Sequence, residues 1–169
     1  MGTIKVKVQS PQHHLAYGET LLLDYEVANT SRQPIFLVRE RPTVELRGTR
    51  LEVSLAEQPM PEGAAYFGYR APQLATLVGG TKTSERVTIA MPPRRATLGA
   101  DGWEASELPL VGPIEVVLTI GYTFEPVADA ALLQREGGPM TAFLEHQHTV
   151  TSRPLQIAVA GPLGRTAQS

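Results

Sequence analysis

Cysteine is absent from the 169 residues of this sequence, which excludes disulfide bonds, thiolate metal sites and a cysteine nucleophile. A chain of this length can bury about 70% of the surface that its unfolded form exposes, so it needs no covalent cross-link to fold. Because proteins without cysteine occur in every redox compartment, this absence does not locate the protein.

Long apolar runs and a basic excess are also missing. No stretch reaches the roughly 18 apolar residues of a membrane-spanning helix, and the first residues, MGTIKVKV, alternate instead of forming the apolar core of a secretory signal. The 15 basic and 17 acidic residues give a net charge of −2, which provides no electrostatic case for nucleic acid. We therefore expect a soluble cytoplasmic protein that binds neither membranes nor nucleic acids.

Sequence motifs for catalysis are lacking as well. There is no Gly-x-Ser-x-Gly, no helical His-Glu-x-x-His, and the glycines at 79–80 lack the spacing of a phosphate-binding loop. A serine triad assembled in space from distant residues stays open, because such triads are recognised by geometry. The sequence predicts that the chain is not an enzyme and uses no cofactor.

What the sequence does contain is alternation of apolar and polar residues, which is typical of half-buried strands. The clearest cases are residues 4–8, 21–28, 86–91 and 114–124, and Pro154 divides a last strand between 148–151 and 155–159. Residues 34–38 are apolar on both faces, which predicts either a central strand or one whose outer side is covered by a loop. Shorter strands are predicted at 44–46, 51–55, 66–69 and 74–78.

This pattern predicts an all-β chain with the fold of an immunoglobulin-like two-sheet antiparallel sandwich of seven to nine strands. We expect one domain over residues 1–160 and a flexible tail at 161–169. Two long connections interrupt the strands, at 93–112 and 126–147. A proline near its start and two glycines past its end predict a short helix at 126–136, between the last two strands.

Four phrases of the sequence resemble bacterial immunoglobulin-like domains: LDYEVANTS at 23–31, GGTKTSERV at 79–87, GPIEV at 112–116 and TSRPLQI at 151–157. The likeness extends over nearly the whole chain, but the cysteine pair of antibody domains is missing and Ile114 stands where a tyrosine is common. The sequence resembles intracellular sandwich domains such as the BsuPI-like proteinase inhibitors. This resemblance implies that inhibition of a protease is an alternative function, with residues 93–112 as the reactive loop.

The histidines form two groups, His13 with His14 and His146 with His148. If residues 146–148 were a strand, both of its imidazoles would point to the same face, and pairing of the first and last strands would bring the two groups together. The sequence therefore offers a metal site of four histidines for Zn²⁺, Ni²⁺ or Cu²⁺, against the simpler interpretation that all four are exposed in loops.

The long connections carry more apolar bulk than loops require. Such residues are enriched at protein interfaces, so we predict a partner-binding surface made of Trp103, Leu132, Leu133, Met140 and Phe143. The alternative is that these residues pack on the sandwich itself. Trp103 and the aromatic residues at 66–69 also offer a sugar-binding platform, against the simpler interpretation that their rings cap the core.

Taken together, these features favour a non-catalytic module that binds another protein, as an adaptor or assembly subunit, through its long inserted loops. A proteinase inhibitor and a histidine-based metal-binding protein are the alternatives. The partner, the process served and the oligomeric state, including a homo-oligomer, are not determined by the sequence.

Overall fold

A computed structural model describes residues 3–58, 72–107, 110–126 and 139–162 of the chain, with side chains except at 95–99, 103 and 139–142. The described residues form thirteen strands and one helix, and they confirm the predicted all-β fold. In chain order these are β1 (Ile4–Gln9), β2 (His14–Leu15), β3 (Leu21–Asn29), β4 (Ile35–Arg39), β5 (Thr43–Arg47), β6 (Arg50–Ser54), β7 (Gln73–Leu77), β8 (Lys82–Ile89), β9 (Arg94–Gly99), β10 (Gly102–Glu107), β11 (Gly112–Thr123), α1 (Pro139–His146), β12 (His148–Thr151) and β13 (Leu155–Val159).

The smaller layer is an antiparallel sheet in the order β1-β3-β8. Period-two alternation in β3 gives this sheet its two faces, because successive side chains of a strand point to opposite sides. Leu21, Leu23, Tyr25 and Val27 are buried, whereas Asp24 and Glu26 between them are partly exposed. The sequence therefore predicted the buried face of this strand correctly.

The larger layer is built around β11, the twelve-residue strand. One edge of β11 pairs antiparallel with β13 and then with β12, and the other edge pairs in parallel with β6 and then antiparallel with β4. β4 lies between β11 and β7, which confirms the prediction of a central strand at 34–38. β5 extends the sheet beyond β6, and β2 extends it beyond β13.

The core lies between the two sheets. Its fully buried side chains come from both layers, which is the arrangement of a two-sheet sandwich. Members with at most 2% exposure are Leu15, Leu21, Leu23, Val27, Ile35, Leu51, Val53, Ile114, Val116, Leu118 and Ile120.

A buried asparagine closes one end of this core. Asn29 is 1% exposed, and its side-chain amide donates hydrogen bonds to the carbonyl oxygens of Gln33 at 2.8 Å and Leu77 at 3.1 Å. Its Oδ1 accepts from the backbone N–H of Ser31 at 3.1 Å and from the Ser31 hydroxyl at 2.6 Å. One side chain therefore fixes the turn after β3 and ties it to the end of β7 in the other sheet.

Local structure departs from the sequence predictions in the long connections. Most of residues 93–112 form the β9–β10 hairpin instead of an irregular loop, since every residue from Arg94 to Gly99 has a partner in β10. Pro154 divides the last strand as predicted, giving β12 and β13. The helix α1 occupies Pro139–His146, where no helix was predicted. The predicted helix at 126–136, except Pro126, the predicted strand at 66–69 and residues 163–169 of the predicted tail lie outside the described residues.

Candidate functional site

The two histidine groups lie at opposite ends of β11, so the prediction that they meet is wrong. His14 in β2 pairs with Ala158, which in turn pairs with Pro113, whereas His148 in β12 pairs with Tyr122. Pro113 and Tyr122 are separated by about 30 Å along an extended strand. Among the described residues, no group of three or more histidine, aspartate or glutamate side chains could hold a metal ion.

His146 and His148 also fail to share a strand face. His146 ends helix α1 and His148 begins β12, so the alternation of a strand does not apply between them. The imidazole of His148 instead stacks against the ring of Tyr122, with centroids 5.6 Å apart and planes inclined by 27°. A four-histidine metal site at His13, His14, His146 and His148 is therefore excluded by the fold.

Three of the five predicted partner-binding residues, Trp103, Met140 and Phe143, lie in the described part of the chain. The two long connections join β11 at its opposite ends, because one precedes Gly112 and the other follows Thr123. Trp103 lies in β10 and Met140 in α1, while Leu132 and Leu133 lie outside the described residues. Phe143 is 0% exposed, so its ring is packed within the domain and is not part of the surface.

Gln147, the residue that follows helix α1, ties this part of the connection to the larger sheet. Gln147 accepts a hydrogen bond from the backbone N–H of Glu57 at 2.8 Å and donates one to the Glu57 carbonyl oxygen at 3.0 Å. The Gln147 Oε1 lies 2.6 Å from the place that a Cβ at Gly121 would occupy. This part of the connection therefore packs on its own sandwich, the alternative that the sequence left open.

An exposed aromatic cluster lies where β11 ends. We call Tyr122, Phe124 and His148 the rim cluster: the Phe124 ring is 5.6 Å from Tyr122 and 4.8 Å from His148, edge-on to both. Phe124 is 49% exposed, although it is a large apolar side chain. Partial burial raises the pKa of the Tyr122 phenol, which keeps this hydroxyl protonated and able to donate a hydrogen bond.

Alternation in the sequence does not identify this cluster. Alternation along 114–124 places Phe124 in the same row as the buried Ile120 and the half-buried Tyr122, which by itself would predict an inward side chain. In the structure β11 stops at Thr123, whose hydroxyl donates to the Glu125 carbonyl oxygen at 2.7 Å, and Phe124 extends past the core. The apolar row of β11 continues beyond the layer that covers it, so its last residue, Phe124, lies at the surface.

A polar cluster of Tyr25, Glu85 and Arg39 connects the two sheets. The Tyr25 hydroxyl donates to Glu85 at 2.8 Å, and the Arg39 guanidinium pairs with the same carboxylate. The hydrogen bond from Arg39 holds the pKa of Glu85 below its usual range, and burial raises the pKa of Tyr25. These three side chains satisfy one another, which favours a structural role in joining β3 and β8 to β4.

A small cavity of about 240 Å³ adjoins this cluster, between the edge of β8 and the segment after β4. Its lining combines apolar side chains with charged groups that already have partners, including Arg39, Glu85 and Arg86. We assign no chemistry to this cavity.

Among the described residues, no helix has both the length and the apolar character needed to cross a membrane.

Comparison with known proteins gives no family for this chain. No protein-family model matches the sequence, and no curated protein matches it. Solved structures that resemble the fold include β-glucosidase from Listeria innocua, as a mutant in complex with laminaribiose and as complexes with isofagomine and with glucose. Each has a TM-score of 0.38 and 11% identity, and the match covers 95% of this chain but 16% of the enzyme. At this TM-score the likeness supports no conclusion about the present chain.

Proposed function

We propose that this chain is a non-catalytic protein-binding module, an adaptor or assembly subunit, and that its rim cluster is the contact surface. The observation that supports the proposal is the exposure of Phe124, at 49%, beside a second and a third ring. Aromatic side chains are enriched in the buried centres of protein interfaces, where they contribute large area at a low entropic cost. The proposal includes a cytoplasmic location.

The rim cluster also lies at the start of the longer connection. Phe124 directly follows β11, so a partner bound at this end of the sandwich would reach both the cluster and the residues that follow it. This keeps the part of the sequence prediction that placed binding at an inserted connection. It moves the contact from the buried Phe143 to the exposed Phe124.

Inhibition of a protease rests only on the family resemblance. The segment named as a reactive loop, residues 93–112, is largely a paired hairpin, whereas an inhibitory loop must present an extended backbone that is free to pair with the enzyme. No feature of the described residues favours this alternative over the binding module.

Site-specific photocrosslinking in the native cells tests the proposal. A photoreactive phenylalanine analogue at position 124 should form an adduct with a discrete partner protein. The same analogue at position 111 is the matched control, since Val111 is 63% exposed and lies at the opposite end of β11. Wild-type protein without the analogue should compete for the partner and reduce adduct formation, and a Phe124→Ser variant should not.

Equal adducts from both positions, or none from position 124, would overturn the assignment of the rim cluster. Circular dichroism of the Phe124→Ser variant checks that loss of competition reflects the missing ring and not unfolding. An adduct of the chain with itself would identify the partner as a second copy, which sedimentation analysis of the purified protein would show independently.

A further inference from the structure

The outer face of the smaller sheet carries a patterned set of charges. The central strand β3 presents Asp24 and Glu26, and the strands on either side present cations: Lys5 and Lys7 on β1, Lys82 and Arg86 on β8. Register aligns them in rows, because Lys7 lies opposite Glu26 and Arg86 lies opposite Asp24. Four cations and two carboxylates give this face two positive charges in excess, although the whole chain has a net charge of −2.

The carboxylates of this face are already neutralised by β8. Arg86 binds Asp24 through two hydrogen bonds of 2.6 and 3.0 Å, and Lys82 lies 3.2 Å from Glu26. The remaining cations, Lys5 and Lys7, are exposed and form no ion pair within the described part of the chain. The unbalanced positive charge is therefore concentrated along β1.

A groove of about 490 Å³ runs over the same face. It is lined from β1 by Lys7 and Gln9, from β3 by Asp24 and Glu26, and from β8 by Lys82, Ser84 and Glu85, among other residues. Two ammonium groups and three carboxylates thus line the groove, and the carboxylates are paired with Arg86, Lys82 and Arg39. Lysine on an edge strand also discourages pairing of that edge with other chains. That role requires neither a groove nor the cations of β8.

We propose that this outer face is a second binding surface, and that it takes an extended acidic segment of another polypeptide. Charge complementarity selects the sign of the partner, since the unpaired cations Lys5 and Lys7 lie along β1 on this face and Lys7 lines one side of the groove. The two lysines are two residues apart on a strand, about 7 Å, which is the spacing of alternate side chains in an extended peptide.

The mixed charges favour a polypeptide over a nucleic acid. A polynucleotide carries a phosphate at every step, and the carboxylates of Asp24 and Glu26 in the centre of the groove would repel some of them. An acidic peptide can place its carboxylates at the lysines and neutral residues over the centre. This surface shares no residue with the rim cluster, so the two proposals fail independently.

The test uses a fluorescent twelve-residue peptide of alternating glutamate and threonine, titrated with the full chain at low salt. We expect binding that a Lys5→Glu, Lys7→Glu double variant weakens at least tenfold, and that added salt weakens because exposed charges are screened. In nuclear magnetic resonance spectra, the amide signals of Ile4–Gln9 and Lys82–Ile89 should shift on binding.

A matched control changes the total charge equally at other places: Arg32→Glu with Arg153→Glu, two exposed arginines without an ion pair in the described part of the chain. It should bind the peptide within about twofold of the wild type. The milder Lys5→Gln, Lys7→Gln variant replaces the charge-reversed one if thermal denaturation shows that reversal unfolds the chain.

Four results would each overturn the proposal: no binding at millimolar peptide, equal weakening by the control variant, equal binding of a peptide with glutamine in place of glutamate, or tighter binding of a twelve-residue oligothymidine than of the acidic peptide. The last result would identify a nucleic-acid surface instead.

Discussion

Gln147 binds the backbone of Glu57 at two points, with its side-chain oxygen 2.8 Å from the Glu57 nitrogen and its side-chain nitrogen 3.0 Å from the Glu57 oxygen. The two residues are far apart in sequence, and each lies just outside a regular element. Gln147 follows α1, and Glu57 follows β6. This pair of hydrogen bonds ties the connection between β11 and β12 to the segment that follows β6. β6 and β12 pair with opposite edges of β11, so the bonds cross that strand.

Removing the Gln147 amide should lower stability. We expect Gln147→Ala to reduce the free energy of unfolding by about 1–3 kcal/mol, since two backbone groups of Glu57 lose their partner in a partly buried place. Gln156→Ala is the matched control, because Gln156 makes an exposed side-chain hydrogen bond to Glu115 at 3.3 Å. Urea denaturation measures both, and equal effects would contradict the role given to Gln147.

Gly121 lies against Gln147 and Ala56 and has no room for a side chain. A Cβ at position 121 would lie 2.6 Å from Gln147 Oε1 and 2.9 Å from the Ala56 Cα, so Gly121→Ala must displace backbone as well as side chain. We expect a loss of about 1–3 kcal/mol, typical of overpacking. Gly161→Ala should be near neutral, because its Cβ would meet Val111 at 3.6 Å, an ordinary contact. Thermal denaturation of the two variants checks the contrast.

Asn29 should be the most sensitive polar residue in the turn after β3. Asn29→Ala leaves the carbonyl oxygen of Leu77 and the N–H of Ser31 without their side-chain partner in a buried or partly buried place, which we expect to cost about 2 kcal/mol or more. Asn29→Asp keeps the acceptor for Ser31 but loses the donor to Gln33 and Leu77. Denaturant unfolding in which Asn29→Ala matches the wild type would contradict this role.

Two glutamates should affect stability in opposite directions with pH. The hydrogen bond from Arg39 lowers the pKa of Glu85, so its stabilising contribution is present above the unfolded pKa and is lost as pH falls through the folded pKa. Burial, together with the charge of Glu40, raises the pKa of Glu57, so ionised Glu57 destabilises the fold at neutral pH and this cost disappears on acidification.

Urea midpoints at pH 7, 5.5 and 4 measure both effects. Glu85→Gln should be less stable than the wild type at pH 7, with a deficit that shrinks towards pH 4. Glu57→Gln should be more stable at pH 7, with an advantage that shrinks in the same range. The exposed Glu104→Gln serves as a control for the change of charge alone. Parallel curves for all four proteins would contradict the roles given to the Arg39 hydrogen bond at Glu85 and to the burial of Glu57.

Local pattern was sufficient for most of the fold. The alternation in β3 and β11 identified the buried faces, because a residue's side of a strand follows from its position in the sequence. Proline at position 154 divided the last strand, because its missing N–H interrupts a ladder whatever the surroundings. The all-β fold follows from these signals alone.

Tertiary structure decided which distant residues meet. The sequence grouped His13 and His14 with His146 and His148, but strand pairing places the groups at the two ends of β11. From the sequence, Phe143 could either bind a partner or pack on the sandwich, and Phe124 only continues an apolar row. In the structure Phe143 is 0% exposed and Phe124 is 49% exposed. Alternation predicts the side of the sheet to which a side chain points. It does not predict where along the strand the opposite layer ends. That limit is a property of the packed layers and not of any one strand.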